Sequence, residues 1–140
     1  MRLLITGAGG QLGRELVDAA RAAGHEVVGL AKSELDITDQ SAVDVAIKAS
    51  RPDVIIHAAA WTAVDACESD PNKAHLVNVI GTRNVVQAAR AIGARTVYIS
   101  TDYVFDGDKP TPYVEDDKPS PQSVYGPVSY THLTLPTILL

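Results

Sequence analysis

Gly7, Gly10 and Gly13 stand at three-residue spacing in Thr6-Gly7-Ala8-Gly9-Gly10-Gln11-Leu12-Gly13, directly after the apolar run Leu3–Thr6. The chemistry this string suits is phosphate binding. One glycine permits a tight turn, one lets the backbone approach a pyrophosphate, and one lets a helix pack closely on a strand. The N–H groups that open the following helix, with Gln11 and Leu12 among its first residues, then face negative charge. Glycines also make plain turns; the strand before and the helix after are what point to a dinucleotide. An NAD site carries an acidic residue about 20 positions further on, gripping the ribose 2′-hydroxyl. Here the second apolar run ends Gly29-Leu30-Ala31-Lys32-Ser33 with no carboxylate at its end. Lys32 and Ser33 suit a 2′-phosphate, so NADPH is expected, with NADH left open. Asp36-Ile37 follows, either touching the adenine or, through Asp36, forming a local turn.

Other candidates lie further along. His57-Ala58-Ala59-Ala60 ends the third apolar run in small side chains, which leave room for a ligand where open α/β sheets bind one. His57 itself is assigned no chemistry. Asn78 lies on or beside an apolar helical stripe, so its amide needs a partner, either a local carbonyl or a group beside a reaction centre. Ser100-Thr101-Asp102-Tyr103 ends the fourth apolar run, a place for catalytic hydroxyls and equally for turn formers.

These residues need positioning elements, and apolar periodicity supplies them. Strands are expected at Leu3–Thr6, Glu26–Leu30, Val54–Ala58 and Thr96–Ser100, alternating with helices. The first helix carries Leu12, Leu16, Ala19/Ala20 and Ala23 as its apolar stripe and closes at Gly24. The second is capped by Thr38-Asp39 and runs to about Ala49. A long helix opens at Asp70-Pro71, buries Ala74, Val77, Gly81, Val85, Ala88 and Ile92, and ends near Ile92-Gly93. Strand–helix alternation implies βαβ units on a parallel sheet, an α/β fold. Asp106–Pro127 reads as a long, functional loop.

Composition sets bounds. The chain has 140 residues, 46% of them hydrophobic, enough for one core and best read as a single domain. The formal charge of −5 comes without a basic cluster, which argues against nucleic acid. One cysteine, Cys67, excludes a disulfide framework and a multi-cysteine metal site, and reads as a small half-buried side chain. The apolar start is too short for a signal peptide or a membrane span, pointing to the cytoplasm.

Taken together, Thr6–Gly13, Leu35–Asp39, Ala58–Asp65, Asn78–Thr82, Ser100–Gly107 and Ser123–Gly126 resemble the extended short-chain dehydrogenase/reductase family. Within it they resemble the branch that reduces dTDP-4-dehydro-L-rhamnose. Thr101-Asp102-Tyr103-Val104-Phe105-Asp106-Gly107 is the most specific string and separates this branch from sugar epimerases and dehydratases of similar fold. The resemblance implies a doubly wound, Rossmann-type parallel sheet and an NADPH-dependent reduction of a dTDP-sugar at its C4 keto group. It implies Tyr125 as the acid that protonates the keto oxygen, Thr101 as a hydrogen-bond partner of that oxygen, and Asn78 as support for the proton relay. Tyr103, Thr62 and Val64 would line the substrate pocket. Some members carry Mg2+ at a homodimer contact; Glu15 could belong to such a site, but nothing else here supports it, and no metal is assigned. A regulatory subunit resembling that of methionine adenosyltransferase, or a reductase of another nucleotide-4-keto-sugar, are the alternatives.

The family's Tyr-x-x-x-Lys motif is broken, because Ser129 stands four residues after Tyr125. A phenol ordinarily titrates near about pH 10, and the missing ammonium is what lowers it. From Val128 to Leu140 there is no Asp, Glu, Lys or Arg, and the pattern fits neither a helix nor a clean strand. This stretch resembles translated library-adapter sequence. The expectation is an incomplete dinucleotide-binding domain over residues 1–127, lacking the last strands and the substrate domain, followed by a non-native tail over 128–140. Such a chain is expected to have no reductase activity as written.

Overall fold

The structure, a computed structural model, describes the backbone of residues 1–134 and the side chains of residues 1–130. Its contacts group into two compact units, where one domain was expected. The first comprises Met1–Ala60 and Ile80–Ile99, the second Trp61–Val79 and the chain from Ser100 onward.

The first unit is a four-stranded parallel sheet of β1 (Arg2–Thr6), β2 (Glu26–Leu30), β3 (Val54–His57) and β4 (Arg95–Tyr98), in the order β2-β1-β3-β4. The first crossover moves outward from β1 to β2, and the next returns past β1 to β3. Right-handed crossovers therefore place α1 (Gln11–Ala22) on one face. They place α2 (Gln40–Ser50) and α5 (Thr82–Ala91) on the other, where the two pack together. This is the doubly wound arrangement expected from the sequence. Leu4, Ile5 and Ile55 are fully buried between the layers, with Val43 and Ile47 from α2 and Val85 from α5. The Asp39 carboxylate accepts from Ala42 N–H at 3.0 Å and starts α2. The stripe expected for α1 is shifted by one residue: Gly13 and Val17 are buried, while Leu12 is 45% exposed.

The second unit contains α3 (Val64–Ser69), which the sequence did not signal, and α4 (Pro71–Ala74), opened by the Asp70 carboxylate on Lys73 N–H at 3.0 Å. The long helix expected from Pro71 is not uniform. A π-helical turn, His75–Gly81, separates α4 from α5 and carries Asn78. Cys67, Ala74 and Val128 form a small core with Trp61, Val79, Val124 and Tyr125 packed on it. Cys67 is fully buried, not half-buried as expected.

Contrary to the expectation for residues beyond Pro127, the backbone is helical over α6 (Tyr125–Thr134). Pro127 falls within the first turn, where a proline costs no hydrogen bond, and Val128 and Ser129 are buried. The rest of the expected tail, residues 135–140, lies outside the described residues. No helix among the described residues is long and apolar enough to cross a membrane.

Candidate functional site

In the first unit the glycine turn lies at the carboxyl ends of β1 and β3, where the strand order reverses, the position at which open α/β sheets bind ligands. Gly7 has φ +70°, and a Cβ there would sit 2.7 Å from both Cα and N of Ala59. The turn thus lies flush on the Ala58-Ala59 backbone, and no side chain fits between them. A Cβ on Gly13 would land on the Gly7 carbonyl, which is how α1 comes so close to β1. Ala8 N–H donates to the Leu30 carbonyl at 3.1 Å, tying the turn to the end of β2. Gly9, Gly10, Gln11, Leu12 and Ala60 remain exposed. A backbone cradle that excludes Cβ atoms yet opens to solvent fits a dinucleotide's pyrophosphate.

Lys32 and Ser33 are exposed at the end of β2, as the 2′-phosphate reading requires. The expectation that no carboxylate sits there is corrected. The turn after β2 folds Glu34 back, and its Oε2 accepts from Ala31 N–H at 2.8 Å. Asp36 is a turn former: its Oδ1 accepts from Thr38 N–H at 2.9 Å and from the Thr38 hydroxyl at 2.7 Å. Those bonds hold its carboxyl below the usual range, with the Lys32 charge adding to them. The Ile37 side chain is buried, packed where a Cβ on Gly81 would stand, and its carbonyl accepts from the buried Asn84 amide at 3.0 Å. Asn84 had no sequence signal, since its partner lies 47 residues away.

His57 is fully buried. Nδ1 lies 2.7 Å from the Thr6 hydroxyl and Nε2 3.1 Å from the Thr82 hydroxyl, while Ala59 N–H donates to Thr6 Oγ1 at 3.3 Å. Burial pushes its pKa down to about 4, so the ring is neutral around pH 7.

The second unit gathers three of the expected catalytic and substrate residues. The Tyr125 phenol lies beside the side chains of Thr101 and Ser129. The Tyr103 ring meets the Tyr125 ring edge-on, centroids 5.6 Å apart. Gly126 makes this possible, for a Cβ there would collide with the Tyr103 carbonyl. Burial raises the Tyr125 pKa, and the hydrogen bonds from Ser129 and Thr101 oppose the rise without reversing it. The Glu68 carboxylate accepts from Val124 N–H at 2.6 Å and anchors the residue before Tyr125. The loop leading there is stiffened by Phe105 stacked on Tyr113 at 4.1 Å and by the Tyr113 hydroxyl donating to Asp106 at 2.8 Å.

Asn78 does not reach this cluster through its hydrogen bonds. Its Oδ1 accepts from Trp61 N–H at 2.8 Å, and its Nδ2 donates to the Trp61 carbonyl at 3.0 Å. It therefore fixes the backbone of the segment carrying Thr62, which is exposed, and Val64, which is half-buried at the start of α3. Lys73 lies over the Trp61 ring, 4.2 Å from its centroid.

Over residues 1–131 the chain matches the family described as RmlD substrate binding domain. It is 49% identical over 125 residues to dTDP-4-dehydrorhamnose reductase of Streptomyces griseus, covering 89% of this chain and 41% of that protein. It is 45% identical over 125 residues to the spore coat polysaccharide biosynthesis protein SpsK of Bacillus subtilis, covering 89% of this chain and 44% of that one. Among solved structures, dTDP-4-dehydrorhamnose reductase of Bacillus anthracis in complex with NADP superposes with TM-score 0.91 at 43% identity. That match covers 95% of this chain and 48% of the other. The chain therefore spans less than half the length of these relatives.

Proposed function

Since the chain belongs to the RmlD substrate binding domain family, we propose that the whole protein reduces the C4 keto group of dTDP-4-dehydro-L-rhamnose, using NADPH. The observation that carries this reading is that the Thr101 side chain lies beside the Tyr125 phenol, close enough to act on its pKa. Two hydroxyls side by side can both address a single substrate oxygen. Tyr125 gives that oxygen its proton, and Thr101 donates a hydrogen bond to the charge that develops on it. Tyr103, Thr62 and Val64 contact the sugar, and Asn78 holds the segment that carries the last two. Gly7, Gly10, Gln11, Leu12 and Gly13 hold the pyrophosphate, Lys32 the 2′-phosphate, and Asp36, Ile37 and Ala58–Ala60 the adenosine and nicotinamide ends. When bound, NADPH supplies the hydride. The test is NADPH oxidation by the full-length protein with dTDP-4-dehydro-L-rhamnose, turnover being expected and its loss in Tyr125→Phe. No turnover by the full-length protein would overturn the reading.

The same reading places the protein in the cytoplasm and makes a homodimer of the full-length form the expected assembly, to be checked by sedimentation. It also includes a break in the native sequence after Pro127, leaving an incomplete dinucleotide-binding domain over residues 1–127. The support is chemical: Ser129 cannot supply the ammonium that Tyr125 needs. A lysine codon for residue 129 in the source DNA is the expected result, and a serine codon there removes the idea.

A further inference from the structure

Among the described residues, His57 and Cys67 are fully buried ionisable side chains that the proposed chemistry leaves unused, and the surroundings of His57 assign it a task. Thr6 and His57 are register partners across β1 and β3, so their side chains rise from the same face of the sheet. Thr82, the first residue of α5, meets them on that face. The proton positions follow from the donors. Ala59 N–H can only donate, so Thr6 Oγ1 accepts from it. Among the described residues the Thr6 hydroxyl proton has one acceptor, His57 Nδ1, which must therefore be the bare nitrogen. Nε2 then carries the hydrogen and donates to the Thr82 hydroxyl. Both ring nitrogens of His57 and the Thr6 hydroxyl are satisfied through a single tautomer.

An apolar side chain would fill this place without the cost of desolvating an imidazole, so packing alone does not account for a histidine. What the relay adds is a fixed position for Ala59, the residue whose backbone the Gly7 turn lies against. We propose that His57 is a positioning residue for the dinucleotide site. Held between the Thr82 and Thr6 hydroxyls, it orients the oxygen that anchors Ala59 and so sets the wall of the glycine turn. The inference rests on the dinucleotide reading for its purpose, though not for its geometry.

The experiment has two readouts on the full-length protein: NADPH affinity by fluorescence titration, and amide hydrogen exchange at Gly7–Gly13 and Ala58–Ala60 without ligand. Thr6→Val removes the hydroxyl at constant shape; it is expected to weaken NADPH by about tenfold and to speed exchange in both segments. Thr82→Val, which touches only the far end of the relay, should do the same to a smaller degree, about threefold. Thr6→Ser should restore both readouts. Val43→Ala, in the core of α2, controls for general destabilisation and should leave NADPH affinity within about twofold at a similar loss of Tm. Unchanged affinity and exchange in Thr6→Val and Thr82→Val would overturn the proposal, as would equal weakening by Val43→Ala. If the unsubstituted protein binds no NADPH, the dinucleotide reading falls; the exchange rates, which need no ligand, then decide the relay on their own.

Discussion

Asn78 and Trp61 are joined twice, Trp61 N–H to Oδ1 at 2.8 Å and Nδ2–H to the Trp61 carbonyl at 3.0 Å, so one side chain replaces a pair of sheet-like backbone bonds. Asn78 is 1% exposed, and removing its amide would leave the Trp61 N–H and carbonyl without those partners. Asn78→Ala should cost roughly 2–4 kcal/mol of stability. Asn78→Asp should cost at least as much at neutral pH, because it sets an acceptor against the Trp61 carbonyl. Urea unfolding measures both. Trp61 is the chain's one tryptophan, so its emission should shift to the red in each variant. An Asn78→Ala protein with unchanged stability and emission would show that the clamp contributes nothing.

The relay at His57 makes stability depend on acid in a defined direction. Its folded pKa is depressed to about 4 from 6.5, so between those values the unfolded chain binds a proton that the folded one does not. Stability is full above about pH 6.5 and falls as the pH drops toward 4, by an amount on the order of 3 kcal/mol. Denaturant midpoints recorded across this window should slope downward toward acid, and the slope should flatten in His57→Leu whatever that variant's stability at neutral pH. A parallel slope in both proteins would place the titrating group elsewhere.

Gly13 reverses the usual sign of a helix substitution. It lies in the first turn of α1, where alanine ordinarily gains about 1 kcal/mol over glycine. Here the added Cβ would land on the Gly7 carbonyl. Gly13→Ala should therefore destabilise, by roughly 1–3 kcal/mol, and should abolish NADPH binding by lifting the helix from the turn. Thermal melts and the NADPH titration test the two halves separately; a more stable Gly13→Ala protein would mean that the close approach of α1 to β1 is absent.

What was legible in the sequence was what is written locally. The glycine turn, the caps at Asp39 and Asp70 and the strand–helix alternation each depend on neighbours a few residues apart, and each appears where expected. The Tyr125–Thr101–Tyr103 grouping was reached only through family resemblance, since 22 to 24 residues of loop separate these side chains in the chain. Three features were misread for physical reasons. Glu34 stands beyond the strand end in linear order, whereas the turn folds its carboxylate back onto Ala31. The uncharged stretch beyond Pro127 shows no helical pattern in sequence, yet a helix start that buries Val128 and Ser129 needs no charge there. His57 looked idle because its partners Thr6 and Thr82 lie 51 and 25 residues away.

Glu34 and Lys32 set opposite charges at the end of β2, and cofactor preference should follow their balance. Lys32→Ala should weaken NADPH by about tenfold while leaving NADH nearly unchanged, since only the former brings a 2′-phosphate to the lysine. Glu34→Gln should strengthen NADPH by roughly two- to fivefold, because a carboxylate near that phosphate is removed while an acceptor for Ala31 N–H is kept. Paired titrations with both dinucleotides give the ratio directly. Equal affinities in the unsubstituted protein would remove the argument for NADPH.

Tyr125 is the last test, and it bears on residue 129. Burial raises the phenol's pKa, and Ser129 offers it a hydrogen bond without a charge. Ser129 is itself 4% exposed, so an ammonium placed there would act through little solvent. Ser129→Lys should lower the Tyr125 pKa, the charge outweighing the hydrogen bond it replaces. Subtracting the ultraviolet phenolate titration of Ser129→Lys/Tyr125→Phe from that of Ser129→Lys isolates this one tyrosine. If the phenol titrates where it does with serine in place, residue 129 does not face it, and the proposed break in the Tyr-x-x-x-Lys motif loses its chemical basis.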